Sequence, residues 1–358
     1  MNANQQDAAP RPCNGEPCEI VILKLQQVAE QNPENWRLRY QLGICYSGRC
    51  QKHPLVSPDL ALEELGLACK ALHGAQEPRI RAAILSLLGL LYPNSLRLPT
   101  KARLLRAVEC DEEAAAIYFK SEMFQEWARI QYNLGNTWCE FPEDEFPDKW
   151  ENAIAHYEQA LLFRTQQADR ACFAATMENL GTAYRQRTAG DRTANVHNAM
   201  QCYRRALRLS PVATVPARWA ALHNNLGNAC LSLPCPDLSL RDSHARHALR
   251  HFDLALRVRT LERSLFDYAV TKLNRAQACF RLGVCGSPAW LAEAVQCLCD
   301  ARAAFLRTGA ATEASMAEKG LDVAKHALSQ LGERQGEEPF RSLRRASWPA
   351  QGRSRERT

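Results

Sequence analysis

No apolar run in this sequence is long enough to cross a bilayer. The longest, AAILSLLGLLY at 82–92, falls far short of the ~20 residues a spanning helix needs. Catalytic signatures are missing as well: there is no G-x-G-x-x-G, no Walker loop, no H-E-x-x-H and no G-x-S-x-G. The chain therefore carries no marked phosphate cradle, zinc-protease pair or nucleophile elbow, and a protein that is not an enzyme is expected. Nor is there a secretory leader, because residues 1–19 are polar and the IVILKL that follows is brief. A cytoplasmic protein without membrane contact is the expectation.

Cysteine is abundant, at 15 residues. In a reducing compartment a disulfide framework is not expected. Three pairs share a C-x4-C spacing: Cys13/Cys18, Cys45/Cys50 and Cys230/Cys235. That is looser than the C-x2-C of common zinc sites, and the pairs lie far apart in sequence. Cys69, Cys172, Cys202 and Cys279 fall at small helical core positions, where a thiol behaves as a compact hydrophobe. One metal candidate exists in HARHALRH, where His244, His247 and His251 share a helical stripe at i, i+3 and i+7. The stripe borders the core residues Ala248 and Phe252 and has no carboxylate to orient it, so a polar helix edge is preferred and neither metal nor cofactor is expected.

The formal net charge is +6, and residues 341–358 hold six arginines against the single acid Glu356. The rest of the chain is nearly neutral. Its basic character is accordingly assigned to a tail able to contact acidic surfaces, and no folded nucleic-acid-binding domain is expected.

What the sequence does have is a period. Leu-Gly pairs recur at Gly43, Gly89, Gly135, Gly181 and Gly227, each 46 residues from the last. Three positions later stand Tyr46, Tyr92, Trp138 and Tyr184, with Cys230 in the fifth unit. An A-x3-[large]-x2-A pattern follows, as Ala61-Leu65-Ala68, Ala107-Asp111-Ala114, Ala153-Tyr157-Ala160 and Ala199-Tyr203-Ala206. In the fifth unit it comes three residues late, as Ala248-Phe252-Ala255, and a sixth unit has Ala276 in place of glycine and then Ala294-Leu298-Ala301. Glycine on one helix and alanines seven apart on the next predict a close helix pair in every unit. Asp111 breaks the pattern and reads as an exposed or degenerate position. Turn residues separate the helices, and N-caps are predicted at Asp59, Asp148, Thr193, Asp242 and Ser287.

Leu-Gly-x2-[Tyr/Trp] followed by A-x3-[Phe/Tyr]-x2-A resembles the tetratricopeptide repeat, over about residues 20–310. The common repeat has about 34 residues, and the longer unit here is similar to repeats of bacterial multidomain regulators, including those fused to caspase-like CHAT peptidase domains. No such catalytic domain is visible. The resemblance implies an all-α fold, an α-solenoid of about six antiparallel helix pairs with capping helices at 20–31 and 311–331. Residues 20–331 form the array, flanked by unstructured segments at 1–19 and 332–358.

It also implies that a protein or peptide partner lies in the concave groove. The residue after the glycine faces that groove in the family, which selects Asn136, Thr182 and Asn228. Tyr132, Glu178 and Asn224, three before the glycine, neighbour them, as do Arg129 and Arg185. An amide at Asn136 has no evident place in a core and lowers helix propensity. Asn133, Asn179, Asn225 and Asn274, two before the glycine position, read instead as amides bridging helices. The expected function is a non-enzymatic interaction scaffold. The alternative is a regulatory or sensor subunit controlling a separate effector such as a caspase-like peptidase.

Overall fold

The computed structural model describes residues 17–49, 55–72, 77–284 and 287–333, and among these there is no strand. The segments expected to be unstructured lie largely outside the described residues, as do Cys13 and Cys50. The chain forms two compact units, Met1–Asp169 and Arg170–Thr358.

In the first unit α1 (Cys18–Gln31) packs on α2 (Trp36–Tyr46), and three helix pairs follow. They are α2 with α3 (Pro58–Ala71), α4 (Pro78–Leu91) with α5 (Thr100–Lys120), and α6 (Phe124–Glu140) with α7 (Lys149–Leu161). The second unit repeats the plan. It pairs α8 (Arg170–Gln186) with α9 (Arg192–Arg208), α10 (Pro216–Ser232) with α11 (Leu238–Leu256), and α12 (Leu265–Gly283) with α13 (Pro288–Arg307). Helix α14 (Ala311–Glu333) closes on α13. The predicted pairs and both capping helices are thus present.

Within a pair, the glycine of the leading helix receives the large side chain of the trailing helix. A Cβ on Gly135 would stand 2.5 Å from Tyr157 Cε1, one on Gly181 2.7 Å from Tyr203 Cε1, and one on Gly227 2.5 Å from Phe252 Cε1. No side chain fits there. The twelve alanines of the A-x3-[large]-x2-A pattern are all fully buried, Ala153, Ala160, Ala199, Ala206, Ala248 and Ala255 among them. Small residues on both sides let the backbones approach closely enough for the ring to fill the space between them.

Helix ends are held by more than caps. Lys149, fully buried at the start of α7, donates to the carbonyls of Cys139 and Phe141 at the end of α6. Arg192 does the same at the end of α8, reaching the Arg185 carbonyl at 2.5 Å. Cations placed there satisfy orphan carbonyls and suit the negative end of the helix dipole. The N-caps differ from expectation at three helices. Ser57, Asp191 and Asp237 cap α3, α9 and α11, in place of Asp59, Thr193 and Asp242. Asp148 and Ser287 stand at N-cap positions as predicted. Asp59 instead accepts from Ser95 Oγ at 2.5 Å and from the Leu96 amide at 3.2 Å, tying α3 to the next turn.

Asp111 is neither exposed nor degenerate in position. It occupies the large-residue place on α5 against Gly89, is 1 % exposed, and neither carboxyl oxygen has a hydrogen-bond partner. Burial pushes its pKa up to about 8, against a smaller pull from Arg129. The unfolded chain loses this proton near 3.8, the ordinary aspartate value, so stability is full below that pH and falls as pH rises towards 8. Asp111→Leu, which restores the residue found at Leu65 and Leu298, is expected to raise stability at pH 8 by roughly 2–5 kcal/mol. It should also flatten the pH dependence between 4 and 8. Urea melts across that range check it, and equal slopes for the two proteins would refute the assignment.

Candidate interaction surface

The residues selected for the groove are engaged within their own units. In the second unit Asn225 Nδ2 donates to Glu178 Oε1 at 3.4 Å, and Asn274 Nδ2 donates to Asn224 Oδ1 at 3.0 Å. Each bond runs from the residue two before the glycine position to the residue three before it in the preceding pair. The bridging role expected of Asn225 and Asn274 is therefore observed. Glu178 also meets Arg218, with Nε 3.8 Å from Oε2. Asn224 and Asn228 are buried, which leaves neither amide open on the surface.

The position after the glycine has a second explanation that sequence reasoning missed. Tyr157 donates its hydroxyl to Asn136 Oδ1 at 2.8 Å, and the Tyr203 hydroxyl lies 3.1 Å from Thr182 Oγ1. Thr182 donates in turn to the Glu178 carbonyl at 3.2 Å. Asn136 thus does have a role in packing: it satisfies the hydroxyl of the ring that fills the glycine notch. The signal was available, because the polar residues Asn136 and Thr182 coincide with Tyr157 and Tyr203, whereas Ile44 coincides with Leu65. In the fifth pair the ring is Phe252, which has no hydroxyl, and Asn228 Oδ1 is buried without a hydrogen-bond partner.

Of the remaining selected residues, Arg129 Nη2 donates to Ser86 Oγ at 3.4 Å. The Tyr132 ring lies under the Arg164 guanidinium at 4.3 Å. Arg185 hydrogen-bonds Tyr203. Arg129, Tyr132 and Asn136 belong to the first unit, and Glu178, Thr182, Arg185, Asn224 and Asn228 to the second.

A variable polar pair recurs where the residue four before the glycine meets the one preceding the large residue. Arg39 and Glu64 form an ion pair at 3.0 Å, and Gln131 Oε1 lies 2.7 Å from His156 Nδ1. His223 and His251 face each other at 2.9 Å between Nδ1 atoms, with Trp219 edge-on to His223. Burial lowers the pKa of both imidazoles, and for His251 the charges of His223 and Arg204 lower it further, to about 4. The three histidines once grouped as a metal candidate take separate partners. His251 meets His223, His244 meets Cys235, and His247 is exposed. Among the described residues no group of three His, Cys, Asp or Glu side chains could hold a metal ion.

Charge is distributed differently from the expected neutral body with a basic tail. Residues 1–169 carry 17 lysines and arginines against 23 carboxylates, while residues 170–284 carry 17 against 7. Between Asp191 and Asp237 there is no carboxylate. Averaging the two halves hid this, and a charge count in windows would have found it. Arg204, Arg205 and Arg208 on α9, Arg246 and Arg250 on α11, and Arg257 at the C-cap of α11 are exposed. None has an ion-pair partner among the described residues.

These features define an all-α helical repeat protein. No family model and no curated protein matches the chain. Among solved structures, BtubC (BKLC) from P. vanneervenii is similar at 20% identity over 69% of this chain and 90% of that one, with TM-score 0.49. A Rap protein complexed with competence and sporulation factor is similar at 14% identity, covering 88% and 82%, with TM-score 0.43. A circular tandem repeat protein gives 13%, 89% and 79%, and 0.27. Likenesses of this size add no functional argument, and the repeat architecture rests on the chain's own helix pairs. No described helix is long and apolar enough to cross a membrane.

Two outcomes follow from the polar pairs. Phe252→Tyr should stabilise the second unit by roughly 0.5–1.5 kcal/mol by supplying Asn228 with a donor, while Tyr157→Phe should cost the first a similar amount. Calorimetric melting of both variants checks this, and a destabilising Phe252→Tyr would overturn it. For the histidine pair, the folded pKa lies below the unfolded 6.5. Stability is therefore complete above pH 6.5 and is lost as pH falls towards 4. His251→Phe is expected to remove about 1–3 kcal/mol of that acid sensitivity, read from melts at pH 7 and pH 4.5.

Proposed function

We propose that the chain is a non-enzymatic interaction scaffold that binds an acidic segment of a protein partner, using the arginine-bearing surfaces of α9 and α11. The observation that carries this reading is the set of exposed arginines on α9, inside the acid-free stretch between Asp191 and Asp237, and on α11, where Arg246 and Arg250 have no ion-pair partner among the described residues although Asp242 and Asp253 share the helix. Arg204 and Arg208 are four apart, as are Arg246 and Arg250, so each helix presents two guanidinium groups on one face. Unneutralised arginines of one sign draw an acidic partner and hold it through bidentate carboxylate contacts. The rings of α9 and α11, Tyr203 and Phe252, are fully buried. Neither helix exposes a Tyr, Phe or Trp ring to stack on bases, which favours an acidic polypeptide over a single-stranded nucleic acid. The resemblance to tetratricopeptide repeats points the same way, since that family binds protein segments.

A labelled poly-glutamate peptide of about 15 residues and a single-stranded DNA of similar charge serve as probes, read by fluorescence anisotropy at several salt concentrations. The peptide is expected to bind the full chain, to weaken with salt, and to lose at least about tenfold in affinity with Arg204→Glu, Arg208→Glu and Arg250→Glu combined. Peptide binding that survives the triple reversal would overturn the surface, and tighter binding of DNA would overturn the partner class.

A further inference from the structure

We infer that Cys235 is a thiol-modification site that exchanges with small anionic disulfides, with His244 as its base. Cys235 lies in the turn between α10 and α11 and is partly exposed. Its Sγ is 3.2 Å from His244 Nδ1, on the second turn of α11, and 3.2 Å from the Leu233 carbonyl. A nucleophile in hydrogen-bond reach of a neutral imidazole is the arrangement that activates a thiol. The imidazole is kept neutral: burial and the charges of His247, Arg281 and His197 all lower the His244 pKa. Burial raises the Cys235 pKa, whereas the guanidinium groups of Arg281 and Arg241 pull it down. Little standing thiolate is present, so attack depends on the imidazole taking the proton.

The step balances without an external oxidant. The Cys235 proton passes to His244 Nδ1 as Sγ attacks one sulfur of the incoming disulfide. The disulfide S–S bond breaks, a new S–S bond forms to Cys235, and the departing thiolate takes the proton back from the imidazolium. The products are a mixed disulfide and one free thiol. Two guanidinium groups, Arg241 and Arg281, face Cys235 against the single carboxylate of Asp237, and this excess of positive charge selects disulfides bearing carboxylates.

Cys279, Cys297 and Cys299 lack this combination. Cys279 and Cys297 touch Arg275, whose Nη1 is 3.1 Å from Cys297 Sγ, but they are 0 % and 1 % exposed and closed to a bulky disulfide. Cys299 is exposed, and no hydrogen bond joins it to a histidine among the described residues.

The test follows the reaction of the full chain with two aromatic disulfides, the dianionic 5,5′-dithiobis(2-nitrobenzoate) and the neutral 2,2′-dithiodipyridine, with peptide mapping at early times. Cys235 is expected to be labelled first by the dianionic reagent, and Cys235→Ser to abolish the fast phase. His244→Gln should slow that phase roughly 10–100-fold at pH 7. Arg241→Gln should slow the dianionic reagent more than the neutral one. A fast phase on any other cysteine, or one slowed less than about twofold by His244→Gln, overturns the assignment. The pH profile of the wild-type protein gives an independent reading. A rate that simply rises about tenfold per pH unit between 6 and 8 would mean an unassisted thiol and would overturn the role of the imidazole.

Discussion

The contact on which the architecture depends is that of a trailing-helix side chain with the bare backbone of a leading-helix glycine. A helix pair of this size cannot bury its apolar stripe alone, and within each compact unit neighbouring pairs pack on one another. Closing the two helices of a pair to this distance requires alanine on one side and glycine on the other. It then forces whatever occupies the large position to lie flat across the leading helix. Leu65, Tyr157, Tyr203 and Phe252 do so as hydrophobic fillers. Everything polar nearby is arranged around that filler. The residue after the glycine meets the tip of the ring, and the residue four before it meets the neighbour of the large residue.

This geometry explains why substitutions at one register position have such different chemical outcomes. A tyrosine brings a hydroxyl, which Asn136 or Thr182 receives. A phenylalanine leaves Asn228 unsatisfied. An aspartate brings a carboxyl that cannot ionise without cost, because the site was shaped for a hydrocarbon. The same holds one residue earlier in the helix, where an ion pair, an amide–imidazole pair and an imidazole pair occupy equivalent places. The two units consequently respond to pH in opposite directions. Asp111 makes the first unit lose stability as pH rises, and His251 makes the second lose it as pH falls.

The period, the helix pairs and the buried alanines were legible in the sequence because close approach admits only small residues, so the constraint is written directly in residue identity. The partners of Asn136 and Asn224 were not. They lie 21 and 50 residues away, and an amide can be satisfied by many neighbours. A solvent-facing ligand role and an internal hydrogen bond look alike until the helices are placed. The N-caps of α3, α9 and α11 were misplaced because Ser57, Asp191 and Asp237 each lie upstream of another capping-type residue. Composition alone cannot choose between two cappers two to five residues apart. Asp111 was misread because a carboxylate is normally evidence of exposure, and here the register outweighed the residue type.

The fifth pair departs from the period in a way that bears on chemistry. Its alanine pattern comes three residues late because the extra length lies in the first turns of α11: the turn at 233–237 is no longer than that at 187–191, and Ala248 is the eleventh residue of α11 where Ala199 is the eighth of α9. Gly227 still receives Phe252, so the pair is intact. The turn before α11 holds Cys235, while Cys230 stays buried at the position where the first four pairs place an aromatic ring. Two cysteines with one sequence spacing thus have different fates. Burial pushes the Cys230 thiol up to about 11 and leaves it inert. Cys235, in the turn five residues further on, is partly exposed and meets the His244 imidazole instead.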